Sequence, residues 1–136
     1  MAEGPLVADA SPVAAARSDS ALAGALLTTL LPAGDPSDWD SWRWAGPPPP
    51  DAVARRIGRP HLTWAFVSPW FARQSVGTAL LDAAVHALMR VGYTELASPF
   101  LRGNESSTLW HWCAGFGCSP YPGSLRAIRE QVARRL

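Results

Sequence analysis

The sequence predicts an α+β fold of the α/β type, a mixed sheet flanked by helices, on three observations. Two apolar segments near the start, "VAAAR" and "ALAGALLTTLL", flank a short polar turn. A strand-like run at 61–69 leads into an apolar stretch of helical period and then into a second strand-like run at 94–101. Two more helical patterns close the chain.

The elements follow in order. "MAEGPLVADASP" has no clear period and two prolines, and reads as a loose lead-in. "VAAAR", "SDS" and "ALAGALLTTLL" read as a hairpin, with a helix as the competing reading because alanine is a poor strand former. Residues 32–60 hold seven of the thirteen prolines, "PPPP" at 47–50 among them, and the stretch "DWDSWRW". That composition reads as a long loop or insertion packed as a lid or edge cover, with a proline-recognition ligand as the lesser alternative. Within it, "DAVARRIG" suits a short helix capped by Asp51.

"HLTWAFVSP" has the aromatic and β-branched content of a strand that Pro69 ends. Leu80, Leu81, Ala84, Val85 and Leu88 then recur on one helical face, so a helix is expected from Gly77 or Thr78 to about Val91, with Gly92 at its C-terminus. "TELASPFL" is the second strand, placed at an edge or bulge by Pro99. Strand, helix, strand over this length is a crossover unit and favours parallel pairing. Asn104 suits the cap of the next helix, on which Leu109, Trp112, Cys113 and Phe116 form the apolar stripe, opposite Thr108 and His111. "SLRAIREQVARRL" reads as a docked C-terminal helix.

One domain spanning 1–136 is expected from 136 residues of 48% hydrophobic content. A net charge of +1 argues against nucleic acid or a membrane surface as partner. Cys113 and Cys118 in a chain with no secretory pattern are expected as thiols in a cytoplasmic protein, which leaves the acceptor-like "NES" at 104–106 idle. His111, Cys113 and Cys118 are poorly spaced for a tetrahedral metal, so none is expected.

The stretch "ARQSVGTALLDAA" at 72–84 raises a chemical question. Amides at a helix start and the positive end of the helix dipole favour an anion before residues 74–78. Small residues at Ser75, Gly77 and Thr78 admit a diphosphate, and Arg73 and the Thr78 hydroxyl can add contacts. An ordinary helix start is the competing reading. No Gly-Lys-Ser/Thr follows, which excludes a nucleotide P-loop, and the spaced glycines of a dinucleotide turn are missing.

"VSPWFARQSVGTALL", "GY" at 92–93, "LRGNESS" and "HWCAGFG" together resemble the second half of a GNAT-superfamily N-acetyltransferase, over about residues 61–118. In that family a turn of the form Q/R-x-x-G-x-G/A holds the pyrophosphate of acetyl-coenzyme A. The pattern falls on Ala72-Arg73-Gln74-Ser75-Val76-Gly77, where only Gly77 matches and Ser75 replaces the inner glycine. The resemblance implies a GNAT-like mixed sheet with a splayed strand pair, 61–67 beside 94–100, its N-terminal strand and helices shortened or missing. It implies acetyl-CoA as co-substrate, bound by backbone groups of Phe66 and Val67, by Arg73, Gln74, Ser75, Val76, Gly77 and Thr78, and by Asn104.

Acetyl transfer to an amine needs a neutral nucleophile, donors for the oxyanion and a proton for the departing thiolate. The family's acid, commonly a tyrosine, falls by position on His111, whose imidazole is chemically able to donate. A partly exposed helix histidine is the alternative reading. For the base, His61 and Glu105 are candidates by residue type only. The expected activity is an N-acetyltransferase using direct attack in a ternary complex on an unidentified amine. A non-catalytic coenzyme A or acyl-coenzyme A binding module and an interaction domain derived from the fold are the alternatives. The acceptor side would be walled by the segment from Asp38 to Trp44 folded back over the slot, or by a second copy in a homodimer.

Overall fold

A computed structural model describes residues 4–32, 44, 46–99 and 103–117. The C-terminal helix expected at 124–136, Cys118 and most of the tryptophan-rich stretch lie outside the described residues.

The expected hairpin forms from β1 (Val13–Ala15) and β2 (Leu22–Leu31), paired antiparallel. Its turn closes through Ala16 N to Ala21 O at 2.8 Å and Ala21 N to the Asp19 carboxylate at 3.0 Å. β2 is buried along most of its length, which explains its near-continuous apolar sequence. β3 (Arg59–Val67) pairs antiparallel with its other edge, so the sheet runs β1-β2-β3.

Two expectations about irregular segments are corrected. The lead-in is packed against β2: Val7 N donates to Thr28 O at 2.8 Å, Leu30 N to Pro5 O at 3.1 Å and Leu26 N to Pro12 O at 3.0 Å. Pro5 and Pro12 need only accept at this edge, which a proline can do, and Val7 and Ala10 enter the core. The short helix expected in "DAVARRIG" is instead a series of turns, with Arg56 left-handed at φ 54° and Asp51 in an exposed ion pair with Arg55.

α1 (Val76–Val91) buries Leu80, Leu81, Ala84, Ala87 and Leu88 against the sheet. Gly92 ends it at φ 99°, its N–H bonded to Leu88 O and Met89 O. The strand expected at 94–101 is reduced, among the described residues, to a parallel bridge at Ala97. Ala97 N donates to Pro60 O at 3.0 Å and Leu62 N donates to Ala97 O at 2.7 Å. The parallel direction is as expected; the ladder stops where Pro99 removes the next donor.

α2 (Glu105–Cys113) is capped as expected, with Ser107 N donating to the Asn104 side chain at 3.1 Å. Its orientation departs from the expected one, although Phe116 of the expected stripe packs inward and Thr108 is exposed as expected. Leu109, Trp112 and Cys113 face solvent, whereas His111 is buried and Trp110 and Phe116 pack on Leu26, Leu62, Leu80, Leu81 and Ala84.

Candidate functional site

Three features follow one another along β3 and the turn after it. The first is a bulge. Leu27 pairs with Trp64 but Thr28 pairs with Leu62, so Thr63 is an extra residue in β3. Its hydroxyl lies 2.6 Å from that of Thr29 and 3.1 Å from His61 Nδ1. His61 is only 1% exposed, and burial lowers its imidazole from 6.5 to about 4, so it is neutral near pH 7. A group so enclosed is not placed to meet an incoming amine, which removes His61 as candidate base. Glu105 is exposed on the outer face of α2, beside Thr108, Leu109 and Trp112.

The second feature is an open strand edge. Past the Ala97 bridge, no strand pairs with this side of β3 among the described residues. Ser68 N donates to Ala23 O, and strand alternation then directs the N–H and C=O of Phe66 toward β2, opposite Ala25. The edge groups of Ala65 and Val67 point outward. Of the two residues expected to bond the co-substrate through their backbones, Val67 has its groups on this open edge and Phe66 has its groups turned to β2. The Phe66 ring stacks on Trp64 with centroids 5.6 Å apart.

The third feature is the turn at 72–78. Ser75 sits in the left-handed region at φ 59°, where the family pattern carries glycine, and α1 starts at once with Val76, ahead of the Gly77 or Thr78 expected. A left-handed residue followed by a right-handed one turns successive amides toward a common point, an anion-binding concavity. The amides of Val76, Gly77 and Thr78 precede the first bond of the helix, Ala79 N to Ser75 O at 3.0 Å. Arg73, Gln74 and Thr78 are exposed around this point. Gly77 has a second use that spacing did not indicate. A Cβ there would meet Trp110 Nε1 at 3.3 Å and Val67 Cγ2 at 3.6 Å, so its missing side chain lets α2 approach.

His111 lies on the inner face of α2. Its Nδ1 is 2.6 Å from Ser107 O and its Nε2 is 2.6 Å from Ser98 Oγ. A carbonyl only accepts, so in the neutral ring Nδ1 carries the hydrogen and Nε2 accepts from the Ser98 hydroxyl. The rings of Trp110 and Phe116 stand edgewise to the imidazole at 4.8 and 5.1 Å. Sequence reasoning missed Ser98 because a serine inside a strand candidate carries no signal of a partner thirteen residues away. The Asn104 side chain accepts the Ser107 amide as cap. Among the described residues no cluster of His, Cys, Asp or Glu is arranged to hold a metal, and no helix is long and apolar enough to cross a membrane.

No protein-family profile and no curated protein matches the sequence. Solved structures do match the fold. The aminoglycoside antibiotic 6'-N-acetyltransferase AAC(6')-IG from Acinetobacter haemolyticus is similar with a TM-score of 0.55 at 20% identity, covering 78% of this chain and 62% of that one. AAC(6')-Iy in complex with a bisubstrate analogue of coenzyme A gives 0.56 at 18%, covering 76% and 59%. A ribosomal-protein-alanine N-acetyltransferase from Brucella melitensis biovar Abortus 2308 gives 0.53 at 15%, covering 82% and 69%. The chain thus spans about three-fifths of the length of the first two structures. These likenesses show the fold, that of the GNAT acetyltransferases.

Proposed function

We propose that this chain, which has the GNAT acetyltransferase fold, binds acetyl-coenzyme A and transfers its acetyl group to an amine by direct attack in a ternary complex. The observation that carries the reading is the left-handed Ser75 joined to the start of α1, following a strand whose outer edge is unpaired beyond the Ala97 bridge among the described residues. Phosphates fit at the amides of Val76, Gly77 and Thr78, with Arg73, Gln74 and Ser75 around them. The pantetheine arm then runs back along Ala65 and Val67, adding amide hydrogen bonds as an extra strand would. Two of the similar structures are of AAC(6')-Iy, one with coenzyme A and one with a bisubstrate analogue, which supports the same ligand class here. Asn104, the N-cap of α2, is assigned a further coenzyme-side contact by its resemblance to the family's asparagine.

The test is calorimetric titration with acetyl-coenzyme A of the wild type and of Ser75→Asp. Aspartate tolerates the left-handed region and is a good helix cap, so the variant stays folded while setting a carboxylate before the phosphate site. Saturable wild-type binding that weakens at least tenfold in Ser75→Asp is the expected result. A folded wild type that binds no coenzyme A species overturns the proposal. Binding without acetylation of any amine in a broad panel leaves a coenzyme A binding module instead.

A further inference from the structure

Resting on the acetyl-transfer reading, we propose that Ser98 and His111 form a proton shuttle at the parting of the two strands, with Ser98 the group that meets the reacting amine. The placement comes first. Ala97 makes the final described bridge to β3, and Ser98 is the next residue, at the point where the strands cease to pair. Alternation across the parallel pair sets Ser98 on the face of Leu62, the face on which α2 packs. Ser98 is partly exposed, whereas His111 is 6% exposed and walled by Trp110 and Phe116. A ligand running along Ala65 and Val67 from the 75–78 turn has its far end directed at this parting.

The orientation of the pair decides the direction of proton flow. Nδ1–H is held by the Ser107 carbonyl, so the neutral ring presents Nε2 as acceptor to the Ser98 hydroxyl at 2.6 Å. A hydroxyl, an imidazole and a third group that fixes the imidazole make a proton-transfer unit. The sequence assigned His111 as general acid; the geometry makes it an acceptor first, acting through Ser98. The amine nitrogen bonds to the thioester carbonyl carbon, and its proton passes to Ser98 Oγ as the Ser98 proton passes to His111 Nε2. The C–S bond then breaks, and the imidazolium returns that proton through Ser98 to the departing thiolate sulfur. The products are the amide and coenzyme A thiol, with the pair restored and no net proton gained or lost. Ser98 is the catalytic residue in this scheme and His111 its positioning and proton-storing partner.

The experiment measures acetylation of an alanyl peptide and of an aminoglycoside by wild type, Ser98→Ala, Ser98→Thr and His111→Gln, with acetyl-coenzyme A affinity measured separately for each. The expected result is a fall in kcat of about 10²-fold or more in Ser98→Ala and His111→Gln. KM for acetyl-coenzyme A stays within threefold, and Ser98→Thr, which keeps the hydroxyl, recovers at least a tenth of the lost rate. Ser98→Ala removes only the hydroxyl and leaves α2 in place, so it carries the test if His111→Gln fails to fold. Wild-type turnover with Ser98→Ala retaining more than half the rate overturns the shuttle and leaves the transfer reading standing. An acetyl group trapped on Ser98 by mass spectrometry also overturns it, because the hydroxyl would then be the nucleophile. No turnover of these two acceptors or of any amine in a broad panel by wild type saturated with acetyl-coenzyme A overturns the shuttle and the transfer reading together.

Discussion

The Cβ that Gly77 lacks would lie 3.3 Å from Trp110 Nε1, so the first turn of α1 and the inner face of α2 meet at a point with no room for a branched side chain. Alanine needs only a small shift of the indole and gains helix propensity of up to about 1 kcal/mol, so Gly77→Ala is expected to be close to neutral. Gly77→Val forces Trp110 away and is expected to cost about 1–3 kcal/mol. Urea unfolding followed by tryptophan fluorescence checks both. Equal stability of the valine variant would mean that α2 is not seated on α1 as described.

Gly24 is held more tightly. A Cβ there would lie 2.6 Å from Phe66 O, a backbone atom of the paired strand, and 3.1 and 3.2 Å from Leu80 and Val76 of α1. Backbone in a ladder cannot turn aside as a side-chain tip can, so Gly24→Ala is expected to destabilise by about 1–3 kcal/mol. On the proposed function it should also weaken acetyl-coenzyme A binding, because β3 and the start of α1 both move. A thermal melt and a titration of the same preparation test the two effects, and an unchanged melting temperature would contradict the β2-to-α1 approach.

His61 gives the protein a pH dependence of definite sign. Burial lowers its imidazole from 6.5 to about 4. Between those values the unfolded chain binds a proton that the folded chain does not, so the contribution is full above pH 6.5 and is lost as pH falls toward 4. One proton gives a slope of at most about 1.4 kcal/mol per pH unit. Denaturant unfolding from pH 7 to pH 4.5 should show that slope in the wild type and a flatter one in His61→Gln. Identical slopes would remove His61 as the group responsible.

α1 was legible because Leu80, Leu81, Ala84 and Leu88 leave no second face to choose, and β3 because its aromatic and β-branched run ends in proline. α2 was misread for a physical reason. Its sequence offers two apolar faces, and Leu109, Trp112 and Cys113 outrank a face that contains a histidine on any hydrophobicity scale. The buried face is the one whose polar atoms find partners, since Ser107 O and Ser98 Oγ satisfy both nitrogens of His111. Such compensation depends in part on Ser98, a residue on the segment beside β3, and leaves no local trace. The same limit hid the lead-in, whose prolines signalled a loop while their carbonyls, which need no N–H, were bonded to β2.

On the proposed function, Ser75 joins stability to coenzyme binding at a single position. At φ 59° its backbone lies where a side chain is strained by about 1–2 kcal/mol, and its side chain makes no cap bond to offset this. Ser75→Gly removes that strain at a backbone entropy cost of about 0.5–1 kcal/mol, so a net gain of about 0.5 kcal/mol is expected. A β-branched residue tolerates the region worst, and Ser75→Val is expected to lose about 1 kcal/mol or more. Glycine keeps the left-to-right-handed sequence that orients the amides of Val76 and Gly77, so its acetyl-coenzyme A affinity should stay within about threefold of wild type, while valine weakens both properties. Guanidinium midpoints and calorimetric affinities on the three proteins decide the matter. A glycine variant less stable than wild type would show that serine is not strained there, and a valine variant with full affinity would separate the turn's shape from coenzyme binding.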